Sequence, residues 1–94
     1  MKKQRAIAEQ DRTVPIHSIW EAAYIVYKDI PYLNTLMRNG RMLFIFPDTP
    51  EVKAAVQKFI RNPPVKIQEY ISVFQRLKNL IYEERGKEHE TRIH

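Results

Sequence analysis

The side chains able to do chemistry in this sequence are few, and most have a structural use that accounts for them. Asp48 and Glu51 stand at i, i+3, a spacing that brings two carboxylates to one side of a helix, but an acidic residue three before a helical Glu also describes a helix start. Glu83 and Glu84 are adjacent, so on a helix they diverge. His17 beside Ser18 pairs a base with a hydroxyl in sequence, yet Ser18-Ile19-Trp20-Glu21 has the capping-box form, in which the serine oxygen accepts from a backbone N–H. His89 and His94 lie five apart, off the i, i+4 spacing by which a helix holds a metal, so no metal site is expected. Cysteine is absent, which excludes thiolate metal sites, disulfides and a cysteine nucleophile. Only two glycines occur, Gly40 and Gly86, so no phosphate-cradling glycine loop exists. With no converging acid, base or nucleophile, the expectation is a non-enzyme with no cofactor and no small-molecule substrate.

The basic side chains are the more informative set. Lys and Arg number 16 against 11 Asp and Glu, for a net charge of +5. They fall into three groups: an N-terminal stretch with Lys2, Lys3, Arg5 and Arg12; Arg38 and Arg41 around Asn39-Gly40; and Lys53, Lys58 and Arg61. Five of them, Arg38, Arg41, Lys53, Lys58 and Arg61, are candidate nucleic-acid contacts, because a two-stranded ribbon can enter a major groove with its cations on phosphates. An ordinary solvated surface accounts for the same residues more simply.

These groups need elements to hold them. At 94 residues the chain is one domain at most, and its 44% hydrophobic content suffices for a core. The longest apolar runs, residues 22–27 and 42–46, are far short of the roughly 20 residues of a membrane span. No membrane partner is therefore expected, and a cytoplasmic location is the default expectation. Residues 1–13 lack an apolar period and read as a mobile basic arm. A first helix starts at Ile19 and ends at Asp29-Ile30-Pro31, where the residue before proline avoids helical geometry. Residues 32–37 and 42–46 are rich in strand formers, and Asn39-Gly40 between them is a type I′ hairpin signal. In the second strand Met42, Phe44 and Phe46 share one face and Leu43 and Ile45 the other, so both faces need covering.

A second helix follows, capped by Asp48 or Thr49 with Pro50 in its first turn, and Val52, Ala55, Val56, Phe59 and Ile60 form its apolar stripe. Asn62-Pro63-Pro64 breaks it, and a third helix runs from about Lys66 to Arg85, with Gly86 as its left-handed stop. Residues 87–94 read as a solvated tail. The expected architecture is a small single α+β domain over residues 14–86, in the order α-β-β-α-α, with a two-stranded antiparallel hairpin packed against three helices.

The third helix carries more apolar surface than one contact needs. Ile67, Tyr70, Ile71, Phe74 and Ile81 form one seam, and Val73, Leu77 and Leu80 an adjoining stripe, together nearly half of the circumference. Either both seams pack within the chain or one meets a second copy, and Val73, Leu77 and Leu80 are the candidate self-association residues.

Taken together, Ser18-Ile19-Trp20-Glu21-Ala22-Ala23-Tyr24, the Asn-Gly strand pair with Leu43-Phe44-Ile45-Phe46, Asp48-Thr49 before a helix, and Phe74-Gln75-Arg76-Leu77-Lys78-Asn79-Leu80 resemble a family of short, uncharacterised bacterial domains of unknown function. That family's pattern is a helix, a Phe-x-Phe hairpin, a capped helix and a closing Arg-x-Leu-Lys helix, and the likeness covers about residues 17–83. This chain departs from it in having Asp29-Ile30-Pro31 where a glycine usually follows the first helix, and Asn62-Pro63-Pro64 before the last one. The resemblance implies the fold and supplies no activity. The functional expectation is a small binding or adaptor domain that self-associates or binds protein through its third helix, or else binds nucleic acid through the hairpin tip and second helix.

Overall fold

The computed structural model describes residues 12–93, with side chains described from 12 to 85. The elements are β1 (Thr13–Ile16), α1 (Ile19–Tyr27), β2 (Asn34–Arg38), β3 (Arg41–Pro47), α2 (Pro50–Ile60) and α3 (Ile67–Ile93). The result is a small α+β fold with three helices and a three-stranded antiparallel sheet among the described residues, strand order β1-β3-β2. The expected two-stranded hairpin is therefore incomplete: Thr13, Val14, Pro15 and Ile16 pair with Pro47, Phe46, Ile45 and Phe44. A strand of four residues containing a proline gives almost no alternation signal, and the proline is tolerated because β1 is an edge strand. Residues 1–11 of the expected arm lie outside the described residues, while the carbonyl of Arg12 already accepts from the Asp48 N–H at 3.0 Å.

The hairpin turn follows from its sequence. Asn39 and Gly40 have φ of 55° and 78°, the two positive values that a type I′ turn requires. Alternation then places Val14, Ile16, Met37, Met42, Phe44 and Phe46 toward the helices. Phe44 and Phe46 are fully buried there, with Tyr32 edge-on to both, at ring-centroid distances of 5.4 and 6.3 Å. Leu43, on the other face, is buried as well.

Helix α1 is the hub on which α2 and α3 pack. Its Ala22, Ala23, Tyr24 and Ile25 are all buried, the two alanines allowing close approach. Ser18 caps it, its oxygen accepting the Glu21 N–H at 3.4 Å. At its other end Asp29 takes a left-handed φ of 68°, and the N–H groups of Ile30 and Asp29 return to the carbonyls of Ile25 and Val26. This is a Schellman closure, and Asp29 fills the backbone role of the glycine that the resemblance leads one to expect.

Thr49, rather than Asp48, caps α2, accepting the Val52 N–H at 3.3 Å. Val52 and Ala55 are buried and Val56 and Phe59 half-buried, but Ile60, expected on the same stripe, is exposed in the last turn of a helix that leaves the core there. Asn62 closes α2 with φ of 57°.

The long α3 corrects two expectations. It passes through Gly86 to Ile93, so the left-handed stop and the separate tail are replaced by continuous helix. An interior glycine costs only about 0.5–1 kcal/mol, and no proline follows to end the helix. Its length is about 40 Å. In addition, Val73 and Leu77 are 9% and 4% exposed, buried in the chain's own core, with Leu80 half-buried beside them.

Candidate functional site

Two surfaces collect the side chains with binding chemistry. The first lies along α1 and the N-terminal half of α3. Two hydrogen bonds fix the helices side by side: the Tyr27 hydroxyl accepts the Lys66 N–H at 2.8 Å, and the Tyr70 hydroxyl donates to the Trp20 carbonyl at 2.8 Å. Tyr27 and Tyr70 also meet edge to face, centroids 6.1 Å apart. Burial raises the Tyr70 phenol above its ordinary pKa, because desolvation disfavours phenolate.

That brace holds Trp20 over Phe74 in a stack, centroids 4.2 Å apart and planes 19° off parallel. Trp20 nevertheless remains 55% exposed, and Ile71 and Ile67, three and seven residues before Phe74 on the same helix, are 46% and 60% exposed. Ile67, Ile71, Phe74 and Lys78 follow the 4-3-4 spacing of a helix-pairing seam. Of the two stripes on this helix, the chain has buried Val73 and Leu77 and left the isoleucine seam outward. Of the residues expected to self-associate, Val73 and Leu77 are thus core and Leu80 is half-buried beside them.

The second surface is the hairpin end of the sheet. Arg38 and Arg41 flank the turn as a cross-strand pair, both exposed. The Arg85 guanidinium, far away in sequence, reaches the turn and donates to the Gly40 carbonyl at 3.2 Å. Between them opens a notch of about 180 Å³ lined by His17, Ile19, Arg41, Met42, Ile81 and Arg85. Arg85 is absent from the sequence-based candidates, and His17 is weighed there only beside Ser18; no local pattern relates positions 17, 41 and 85.

The five candidate nucleic-acid contacts come from two elements, the hairpin turn with Arg38 and Arg41 and α2 with its C-cap Arg61. Lys53, Lys58 and Arg61 are exposed on α2, which packs against α1, and Lys53 pairs with Asp48 at 3.7 Å, beyond the far end of β3. About 20 Å of strand separates that end from Arg41.

For the residues weighed as catalytic, the geometry is equally definite. Ser18 is engaged as a cap, Asp48 as the partner of Lys53, and His17 lines a notch that Arg41 and Arg85 also line. Among the described residues no group of three His, Cys, Asp or Glu could hold a metal ion; the side chains of His89 and His94 lie outside them. No helix among these residues is long and apolar enough to cross a membrane.

No curated protein and no solved structure matches the chain. A family model does, over residues 11–83, which spans β1, α1, the hairpin, α2 and most of α3. The resemblance seen in the Ser18 helix start, the Phe44-Ile45-Phe46 strand and the Arg76-Leu77-Lys78 helix is thereby borne out, and the chain belongs to the family described as a domain of unknown function, DUF5659.

Proposed function

We propose that this domain is a non-enzymatic interaction module that self-associates through the outward seam of its third helix. The observation that supports this most is the half-exposed Trp20, stacked on Phe74 and continued by Ile71 and Ile67 along α3. Tryptophan is among the residues most enriched at the energetic centres of interfaces, and here it is held rigid by its stack and by the bond from Tyr70 to its carbonyl. A long helix carrying the apolar residues Ile67, Ile71 and Phe74 at a 4-3 spacing suits a second copy of itself, in a two-fold arrangement where each seam covers the other.

Sedimentation velocity of the intact chain tests the reading. A dimer is expected at micromolar to millimolar concentration, converted to monomer by Ile71→Lys with the circular dichroism spectrum unchanged. A wild-type chain that stays monomeric throughout that range overturns it. Val73→Lys is unsuited to this test, since a charge there enters the core.

The nucleic-acid reading has less support in the folded chain. Its cations fall into a hairpin group and an α2 group instead of one stripe, and a broad electrostatic footprint is what sequence-independent binding needs.

A further inference from the structure

The notch at the hairpin end has a chemistry of its own. Three parts of the chain meet there: the turn after β1 and the start of α1 bring His17 and Ile19, the first residues of β3 bring Arg41 and Met42, and α3 brings Ile81 and Arg85, one turn apart. Two guanidinium groups and an imidazole face a space whose remaining walls are Ile, Met and Ile, and no carboxylate lines it. Arg85 is oriented by its bond to the Gly40 carbonyl, which uses one of its five N–H donors. Arg38 stands beside the mouth as the cross-strand partner of Arg41.

We infer that this notch seats a single phosphate group, held by Arg41 and Arg85 with His17 as a third donor. Planar guanidinium forks match phosphate oxygens two at a time, which a lone lysine cannot do. At about 180 Å³ the space is below the roughly 300–1,000 Å³ of sites that enclose a whole drug-sized ligand, so the rest of the phosphate-bearing molecule lies outside it. The same chemistry serves a free phosphate monoester or one phosphate of a nucleic-acid strand. The seat lies toward the opposite end of the side-chain-described part of α3 from Ile67 and Ile71, and stands whether or not the chain self-associates.

The test is a titration of the isotope-labelled intact chain, followed by NMR at the backbone amides and arginine side chains. The probes are inorganic phosphate, adenosine monophosphate and a short random-sequence DNA duplex, each against chloride at matched ionic strength. Saturable shifts centred on His17, Arg41 and Arg85 are expected with phosphate, and Arg41→Gln or Arg85→Gln should weaken binding about tenfold. Arg41→Lys, which keeps the charge and loses the fork, should fall between. Equal affinity for phosphate and the mononucleotide, with no gain for duplex, identifies a small phosphate ester. A duplex bound much more tightly, with the same arginines required, identifies a nucleic-acid phosphate. Shifts no larger than those with chloride, or binding untouched in the Arg41→Gln, Arg85→Gln double variant, overturn the proposal.

Discussion

Tyr70 illustrates how a single side chain ties stability to the binding face. Its hydroxyl must keep its proton to donate to the Trp20 carbonyl, and burial already raises its pKa above the ordinary value of 10.0. In the unfolded chain the phenol ionises at the ordinary value, so as pH climbs past about 10 the unfolded state releases a proton that the folded state retains. The contribution is fully present below that pH and is lost as pH rises through the raised folded value. Tyr70→Phe should therefore flatten the alkaline limb of stability against pH, measured by urea unfolding at several pH values between 9 and 11. An unchanged limb would mean that the phenol is solvated equally in both states. The phosphate seat belongs to this scale as well, because its three donors act as individual groups whose removal is read one at a time.

At the scale of elements, the helix ends carry the clearest lesson. The sequence places the end of α1 correctly near residues 29–31 but assigns the cause to Pro31, whereas the chain turns two residues earlier through Asp29 in a left-handed conformation. Such a conformation strains a residue with a Cβ by roughly 1–2 kcal/mol, less for Asp, and Asp29 also sets a negative charge at the negative end of the helix dipole. Asp29→Gly is expected to raise stability by about 0.5–1 kcal/mol, with part of the relief offset by the greater unfolded-state entropy of glycine. A midpoint in urea that falls would show that the Asp29 side chain contributes something that the backbone geometry does not reveal. The overrun of α3 past Gly86 has a related cause: one glycine lowers helix propensity without ending the helix, and only an adjoining break would turn it into a stop.

For the molecule as a whole, the third strand decides whether the sheet has a covered centre. With β1 in place, β3 is a central strand, and Ile16 joins Phe44 and Phe46 against α1. Ile16→Ala should cost about 2–5 kcal/mol, as for other buried large-to-small changes. A loss under about 1 kcal/mol would mean that β1 is an accessory and that the hairpin stands with two strands. The self-association face is also a property of the whole molecule, since it exists only where α1 and α3 lie side by side.

Much of this was legible from the residues alone. Asn39-Gly40 dictates its turn because few residues accept two positive φ values in succession, and Ser18 before an apolar helical period dictates a start because an exposed N–H needs an acceptor. These are local rules, satisfied within four residues, and the sequence determined them. It also determined that α3 has two apolar stripes, because 3.6-residue periodicity is written in the order of the side chains. Which stripe turned inward was decided by packing: Val73 and Leu77 join Ala22 and Ala23 of α1 in the buried core, leaving Ile67 and Ile71 outside. The notch was equally beyond local reading, because His17, Arg41 and Arg85 become neighbours only when a strand end, a turn and a long helix are fixed by a shared core. A charge carries no periodic mark of the partner it will face across the fold, so only the tertiary structure could bring those three together.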